Sequence, residues 1–534
     1  MVRERGPGPR QRYTTLAAQF NHPFGAAGHN IHTDKIATAG TAPASHIFPT
    51  HLFHKALSLC RQSRHHQCRA APQVGRSEGG AVEVIFATLL ALLVSIYPAL
   101  LYAEMGAALP YAGGTYQFAS LGLGKAVGVL AGWNFIISLV AVTGGEALAF
   151  SYYFKTLCLA FGWQIPLSDV AVALIVTIVF IIANVFGVRL TGRLQNGFMF
   201  FFWGVAAIWF LTMIPNIELP NFVKSPEFIA KDKDFTFIGA VCMIWWCFAG
   251  FEACVAMGEE IRFPKINIPR AMFLAPFVVF CVNALFQWYL IGITPVEKLA
   301  SLATAEAPYA EAMKAAGILG FPLALLAAGI AFGGDFSTLN ASISTTPSYL
   351  STMARDGPMP KIFAKVSRRY QTPYVAVITL GVLTVALIAT NSLLYIAELS
   401  LFADLFYYVL GILAAWGLRK KHPELKRSYK APLIMVGAPV SALIYLYMMT
   451  ELSNEAFYTG VIWCLLGIAI YWCCSKYYGA GASFKLDEKA SGVDEIPTPE
   501  EKRSMDREYH LWWFLVGGLS IVATLLYLLP YLMR

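Results

Sequence analysis

Apolar stretches recur along the chain from residue 81 onward, separated by short polar or charged segments. A helix rises 1.5 Å per residue, so about 20 residues cross the roughly 30 Å hydrocarbon core of a bilayer. The alternation of apolar and polar residues that marks membrane β-barrels is not seen in these stretches. The pattern predicts an all-α polytopic membrane protein with about twelve spans, at 81–105, 126–154, 169–187, 194–214, 236–257, 271–292, 318–346, 373–390, 393–416, 433–450, 456–475 and 511–531.

The chain outside the membrane core has a different composition. Residues 1–80 hold eight of the ten histidines and no apolar run long enough to span. Residues 476–510 are rich in charge, which is typical of a solvated, flexible linker. We therefore divide the chain into an atypical His-rich N-terminal segment (1–80), an apolar multi-span core (81–475), a charged linker (476–510) and an additional C-terminal helix (511–531).

Composition agrees with a membrane protein and argues against a nucleic-acid partner. The chain is 57% apolar and 13% charged, whereas about a quarter of the residues in soluble proteins are charged. The net charge is +8, but the basic residues lie in short loops rather than in a stripe. Loops rich in Lys and Arg face the cytoplasm, and here they contain Arg189, Arg193, Arg262, Lys265, Arg270, Arg355, Lys361, Lys365, Arg368, Arg369, Arg419, Lys420, Lys421, Lys426, Arg427 and Lys430.

This orientation creates a conflict at the N-terminus. It places residues 1–80 outside, although they carry ten Lys and Arg residues. Either the segment is a divergent extension, or a first span that would return the N-terminus to the cytoplasm is missing from this sequence.

Carboxylates lie well inside several predicted spans, which contain no Lys or Arg. A charge at the bilayer centre costs several kcal/mol unless it is paired or hydrated. These acids must then be protonated or receive a cation from solution, and a substrate amine, a proton or Na⁺ would each fit. Alternatively, an acid can hydrogen-bond as a neutral group within helix packing, the interpretation favoured for Glu398. The acids are Glu146, Glu252, Asp335, Glu398 and Asp404.

One predicted span combines aromatic residues, a small-residue pair and an acid. It begins the segment WWCFAGFEACVAMGEEIRFPKINIPRAM, from Trp245 to Met272. The Ala249-Gly250 pair can relax a helix, and a helix broken in mid-membrane presents backbone N–H and C=O groups to a ligand. A glycine needed only for close helix packing would explain the same pair.

Part of this segment, GFEACVAMGEEIRFPKINIPRAM from Gly250, resembles the sixth-helix region of the amino acid-polyamine-organocation (APC) superfamily. Three more segments resemble the family in its own order: YAEMGAALPYAGGTYQFASLGLG from Tyr102, DFSTLNASISTTPSYLSTMARDGPMPKIFAKV from Asp335, and the SRRYQTP that follows. The resemblance covers residues 81–475. It implies a leucine-transporter-type fold of five helices plus five inverted helices, with the site between the first and sixth helices.

The resemblance also implies a substrate site. By position, Trp246 resembles the family's aromatic gate. Phe248, Ala249 and Gly250 resemble the unwound segment whose backbone faces the substrate amine. Glu252 falls where many relatives carry an acid.

Candidate residues for a proton or coupling ion lie elsewhere in the core. Ser337 and Thr338 occupy positions where related transporters place eighth-helix hydroxyls against Na⁺ or a substituting positive charge, and Asp335 just precedes them. Glu146 and Asp404 are buried acids that could take up a proton or a cation.

Two departures from the family limit what the resemblance implies. Span 81–105 matches the family's second helix, so the glycine-broken first helix, which supplies the other half of the site, is not apparent. Where some exchangers of the family carry a fifth-helix lysine, the aligned GRLQNGFMFFFWGV has phenylalanine at 200–202. Coupling to Na⁺, to protons or to neither therefore stays open.

The sequence thus predicts a secondary transporter that moves amino acids across the plasma membrane by alternating access. An ethanolamine or polyamine permease stays open, because unpaired carboxylates suit an amine with no carboxylate of its own. A truncated, non-transporting relative also stays open, because the first helix is not apparent. The expected partners are a small amine-bearing solute, the lipid bilayer and H⁺ or Na⁺.

Enzyme and cofactor signals are weak. The spans hold no nucleophile–base or His-rich constellation, so an enzyme is not expected. LGLGKAVG lacks the P-loop spacing. The His and Cys residues between 51 and 68 fit no compact zinc finger. We therefore predict no cofactor and no metal.

Overall fold

A computed structural model describes residues 80–110, 113–186, 192–224, 237–256, 261, 263–299, 307–370, 372–478 and 496–532. Within these ranges the regular structure is helical and contains no strand. The α-helices are α1 (Gly80–Ala108), α2 (Gly114–Gly122), α3 (Lys125–Ala160), α4 (Asp169–Val185), α5 (Gly192–Met213), α6 (Pro220–Lys224), α7 (Phe237–Trp245), α8 (Ala253–Ala256), α9 (Pro264–Ile293), α10 (Val296–Leu299), α11 (Pro308–Ala315), α12 (Phe321–Ala328), α13 (Phe336–Arg355), α14 (Tyr374–Ala389), α15 (Leu393–Lys421), α16 (Ile434–Met449), α17 (Asn454–Tyr478) and α18 (Pro499–Leu532). Short 3₁₀ turns occur at Ile214–Asn216, Trp246–Phe248 and Lys361–Ala364, and a π-helical segment, Gly329–Asp335, joins α12 to α13.

The predicted helical class is confirmed, and within the described ranges each predicted span falls mainly on helical residues, with an interruption at 249–252 in the span 236–257. Among the described residues, eight helices are long and apolar enough to cross a membrane. The other predicted spans fall on shorter apolar helices of 10–17 residues, Asp169–Val185, Phe237–Phe248, Tyr374–Ala389 and Ile434–Met449. The predicted N-terminal segment, with its His and Cys residues, lies outside the described residues except for Gly80.

Four long helices form the centre of the bundle. Helix α3 packs against α15, and α1 packs against α9. In the most apolar stretch of α3, 83% of the residues are buried, against 17% in the corresponding stretches of α17 and α18. Helices α17 and α18 therefore lie at the periphery, while the acids of α3 and α15 lie in the interior.

The last helix begins earlier than the predicted residue 511. The Thr498 hydroxyl accepts from the Glu501 amide at 3.3 Å, and the Glu501 carboxylate accepts from the Thr498 amide at 2.9 Å. This reciprocal pair is a capping box that starts the helix at Pro499, so part of the predicted linker is helical. Arg270 of α9 forms an ion pair with Asp506 of α18, which holds the early part of α18 against the bundle.

Glycines allow α2 and α15 to cross at close range. A Cβ added to Gly122 would lie 2.5 Å from the Ala414 carbonyl oxygen, and one added to Gly417 would lie 2.5 Å from the Gly122 carbonyl oxygen. Backbone meets backbone at this crossing, so no side chain can rotate to make room. Small residues have this role in membrane helix packing generally.

We expect Gly417→Val to destabilise the bundle by about 1–3 kcal/mol, the usual cost of overpacking. Thermal unfolding in detergent, followed by tryptophan fluorescence, would show a lower midpoint. Gly517→Val in α18 is the matched control, because a Cβ there meets nothing within 4 Å. Equal midpoints for the two variants would contradict the close crossing.

Candidate functional site

A helix is broken in the middle of the predicted span 236–257. Helix α7 ends at Trp245, a 3₁₀ turn covers Trp246–Phe248, and α8 begins at Ala253. Between them Ala249 is extended, with φ −67° and ψ 157°, and Gly250 has φ +100°. The left-handed conformation of Gly250 is one that a side chain disfavours, which explains glycine at this position. Regular α-helical pairing therefore stops at 249–252, where the Ala249 amide donates to the Trp246 carbonyl at 3.2 Å and the Gly250 amide donates to side chains.

The carboxyl group of Glu252 folds back onto this break. The Gly250 amide donates to Glu252 Oε2 at 3.1 Å and to the Tyr408 hydroxyl at 3.3 Å. The Tyr408 hydroxyl in turn donates to Glu252. Glu252 is only 2% exposed. A carboxyl group thus lies beside the opened backbone, held by a tyrosine of α15.

Aromatic rings enclose this carboxyl group. Tyr408 lies edge-on to Tyr102 and Phe251, with centroid separations of 5.5 Å in both cases, and to Trp245 at 5.4 Å. The Trp245 indole donates to the Tyr445 hydroxyl at 3.0 Å. The residues around the break therefore present apolar ring faces together with a few hydroxyl groups. This composition suits an amphipathic solute.

A second polar group connects the break to α3 and α15. The Trp246 indole donates to Ser400 Oγ at 3.0 Å. Ser400 donates to one oxygen of Asp404 at 3.3 Å, and Ser138 donates to the other at 2.5 Å. Asp404 is thus buried with hydrogen-bond donors at both oxygens. The residue predicted as the gate, Trp246, is tied directly to this network.

The remaining predicted residues lie around the π-helical segment. Asp335 ends that segment and interacts electrostatically with Glu146, which lies in the middle of α3. Ser337 donates to the Gly334 carbonyl at 2.9 Å, and Thr338 contacts the same carbonyl at 3.4 Å. The predicted acids thus fall into two groups: Glu252 and Asp404 near the break, and Glu146 with Asp335. A π-helical turn within an α-helix is frequent at functional sites.

Glu398 lies apart from both groups. It accepts a hydrogen bond from Ser453, between α16 and α17, and is 7% exposed. This arrangement agrees with the interpretation of Glu398 as an acid satisfied within helix packing.

Two contributors were missed from the sequence. Tyr408 contacts Glu252 across 156 residues of chain, and no local pattern signals such a pair. Glu104, near the end of α1, binds Arg419 at 2.8 and 2.5 Å and Arg427 at 3.1 Å. The sequence gives two signals for this cluster. Glu104 lies just inside the predicted boundary at 105, and a basic block follows residue 418.

Comparison with known proteins identifies the family. The chain matches the family described as "Amino acid permease" over residues 70–472. It is 25% identical to the methylthioribose transporter of Bacillus subtilis (strain 168) over 414 residues, covering 74% of this chain and 87% of that protein. It is 23% identical to the branched-chain amino acid permease BcaP of the same organism, covering 73% and 84%. The serine/threonine exchanger SteT of that organism is 25% identical, covering 66% and 79%.

The chain belongs to the amino acid permease family. The predicted resemblance to APC-superfamily permeases is confirmed by this match and by the permease relatives. The protein is therefore a transporter rather than an enzyme. Its apolar helices and its family indicate a multi-pass integral membrane protein of the plasma membrane.

Proposed function

We propose that the protein moves amino acids across the plasma membrane by alternating access, with the solute bound at the helix break. The observation that carries the proposal is the interrupted helix at 249–252, with Gly250 in the left-handed region. Discontinuous helices place backbone charge at mid-membrane, where transporters bind charged solutes. In this view the four shorter apolar helices also cross the membrane, completing a leucine-transporter-type bundle of about twelve spans.

The chemistry around the break suits a zwitterion. The Glu252 carboxylate and the carbonyl oxygens of 248–250 would accept from the amine. The Gly250 amide, which donates to Glu252 and Tyr408 in the structure, would then donate to the solute carboxylate. The rings of Tyr102, Phe251 and Tyr408 would cover an apolar side chain. Trp246 would close over the solute. Because its indole donates a hydrogen bond to Ser400, that movement would be coupled to α15.

Uptake by the purified, reconstituted chain tests this proposal. Proteoliposomes would be given ¹⁴C-leucine, with excess leucine, 3-methylbutylamine or 4-methylpentanoate as competitors. The amine lacks leucine's carboxylate, and the acid lacks its amine. We expect strong competition by leucine alone. Equal competition by the amine would favour an amine permease, and failure to take up any labelled amino acid would favour a non-transporting relative.

Glu252→Gln should lower leucine uptake about tenfold or more, because a hydrogen bond to a charged group contributes about 1.5–3 kcal/mol. The amide keeps the shape but loses the charge that would hold the amine. Glu398→Gln is the control, since Glu398 is a buried carboxyl group bonded to Ser453 away from the break. Unchanged rates in Glu252→Gln and in Glu252→Ala would remove Glu252 from the site.

A further inference from the structure

Two carboxyl groups meet in the interior, away from Glu252. Glu146 is 4% exposed and Asp335 is fully buried. The two carboxyl groups interact electrostatically with each other. Glu146 lies at mid-helix on α3, and the π-helical segment that ends at Asp335 packs against α3. The two acids are therefore carried by neighbouring elements of the bundle.

Three of the four carboxyl oxygens of the pair lack a hydrogen-bond donor among the described residues. Among the described residues, none donates a hydrogen bond to Glu146 Oε2 or to either oxygen of Asp335. Two ionised carboxylates offer only acceptors, so their contact requires something positive between them. By contrast, hydroxyl groups reach both oxygens of Asp404, and two donors reach Glu252. The pair differs from the other buried acids in this respect.

The surroundings of the pair are apolar and contain no fixed cation in the part of the chain that the structure describes. Phe150, one turn beyond Glu146, packs against Phe332 and Phe336 at 5.9 and 5.0 Å. Phe202 of α5 packs closely on Gly333. A Cβ added to Gly333 would lie 2.6 Å from the Cβ of Phe202. From the 3₁₀ turn, the Cys247 thiol comes near Glu146. The groups that act electrostatically on the two acids are otherwise each other.

A proton suits this site better than a metal ion. Hard cations bind through several oxygen ligands. The Ser337 and Thr338 hydroxyls contact the Gly334 carbonyl. No third Asp, Glu, His or Cys completes a metal-binding group within the described ranges. A proton needs only the two carboxyl groups, which can share it as a short O–H···O bond.

We propose that Glu146 and Asp335 bind one proton between them, and that this proton moves with the solute. The proposal rests on the proposed transport function and names its coupling ion. Cys247, near Glu146, belongs to the 3₁₀ turn of the break, so movement of that turn on solute binding would change access to the pair.

Proton binding can be measured without any solute. Infrared spectra of the purified chain in detergent, recorded from acid to alkaline pH, would show the C=O band of a protonated carboxyl group that persists to high pH. In Glu146→Gln and in Asp335→Asn that band should be lost or shifted to lower pH, because an amide partner donates to the remaining acid and stabilises its ionised form. Glu398→Gln removes a different buried acid, so the band that the pair variants lose should remain in this control. An unaltered band in both pair variants would overturn the proposal, as would its loss on adding NaCl at constant pH.

Coupling is tested in proteoliposomes with ¹⁴C-leucine. An inward proton gradient should stimulate uptake by wild type several-fold, and both pair variants should lose that stimulation while retaining leucine–leucine exchange. Stimulation that survives in both variants would contradict coupling through the pair. Absence of leucine uptake and exchange in wild type would instead count against the proposed amino acid transport, and the infrared result would still decide whether the pair binds a proton.

Discussion

Gly250→Ala is expected to abolish most leucine uptake while leaving the protein folded. Gly250 has φ +100° between α7 and α8, and holding a non-glycine residue in such a region costs about 1–3 kcal/mol. The Gly250 amide also donates to Glu252 and to Tyr408. A backbone that relaxes to avoid the strain would turn this amide away and misplace the carbonyl groups of the break. Initial rates in proteoliposomes should fall at least about tenfold, the effect of some 1.4 kcal/mol.

The matched control for this variant is Gly162→Ala. Gly162 also has a positive φ, +79°, but it lies in the turn after α3, and a Cβ there meets nothing within 4 Å. Both substitutions impose backbone strain, and only one lies at the break. Uptake that falls equally in the two variants would show that strain, rather than the break, is responsible.

Glu104→Ala should destabilise the protein by about 3–5 kcal/mol, as expected when one partner of a buried charge cluster is removed. The Glu104 carboxylate binds Arg419 and Arg427 and also accepts from the Ala431 amide at 2.8 Å. The Arg427 side chain is only 5% exposed. Without Glu104, this guanidinium would keep backbone carbonyl partners but no carboxylate. Thermal unfolding in detergent should show a much lower midpoint.

The control for Glu104→Ala is Glu424→Ala, in the loop that follows α15. Glu424 is exposed and contacts His422 at 3.0 Å, and surface ion pairs of this kind contribute little. Its midpoint should match that of wild type. If Glu104→Ala unfolds at the wild-type temperature, the cluster does not fasten α15 and its following loop to α1.

Much of the helical layout follows from the sequence because lipid imposes a simple rule. A backbone in hydrocarbon must satisfy its own hydrogen bonds, so length and apolarity are enough to locate helices. The sequence also predicts the interruption at Ala249-Gly250, since glycine is the residue that tolerates the left-handed region. The capping box at Thr498 has its residues in the sequence, but the high charge of the surrounding segment favours a linker there.

The sequence does not predict which residues of the site contact each other. Glu252 with Tyr408, and Glu146 with Asp335, join residues far apart in the chain, and helix periodicity does not specify which distant helix faces which. The π-helical turn before Asp335 shifts the facing of that helix by a fraction of a turn, so a regular helical wheel misplaces the acid. Glu104 lies at the edge of its predicted span, where a charged residue is common. Only the structure shows that Arg419 and Arg427 bind it.

We propose that the solute binds at the break between α7 and α8. Photo-crosslinking tests it directly, using leucine that carries a diazirine in its side chain, illumination of the reconstituted chain and mapping of the labelled peptides by mass spectrometry. We predict label on residues of 245–252 or on the rings that face them, Tyr102 and Tyr408, and loss of that label with excess unlabelled leucine. Label that is displaced by leucine but lies wholly on other helices, with the break unmodified, would contradict the claim.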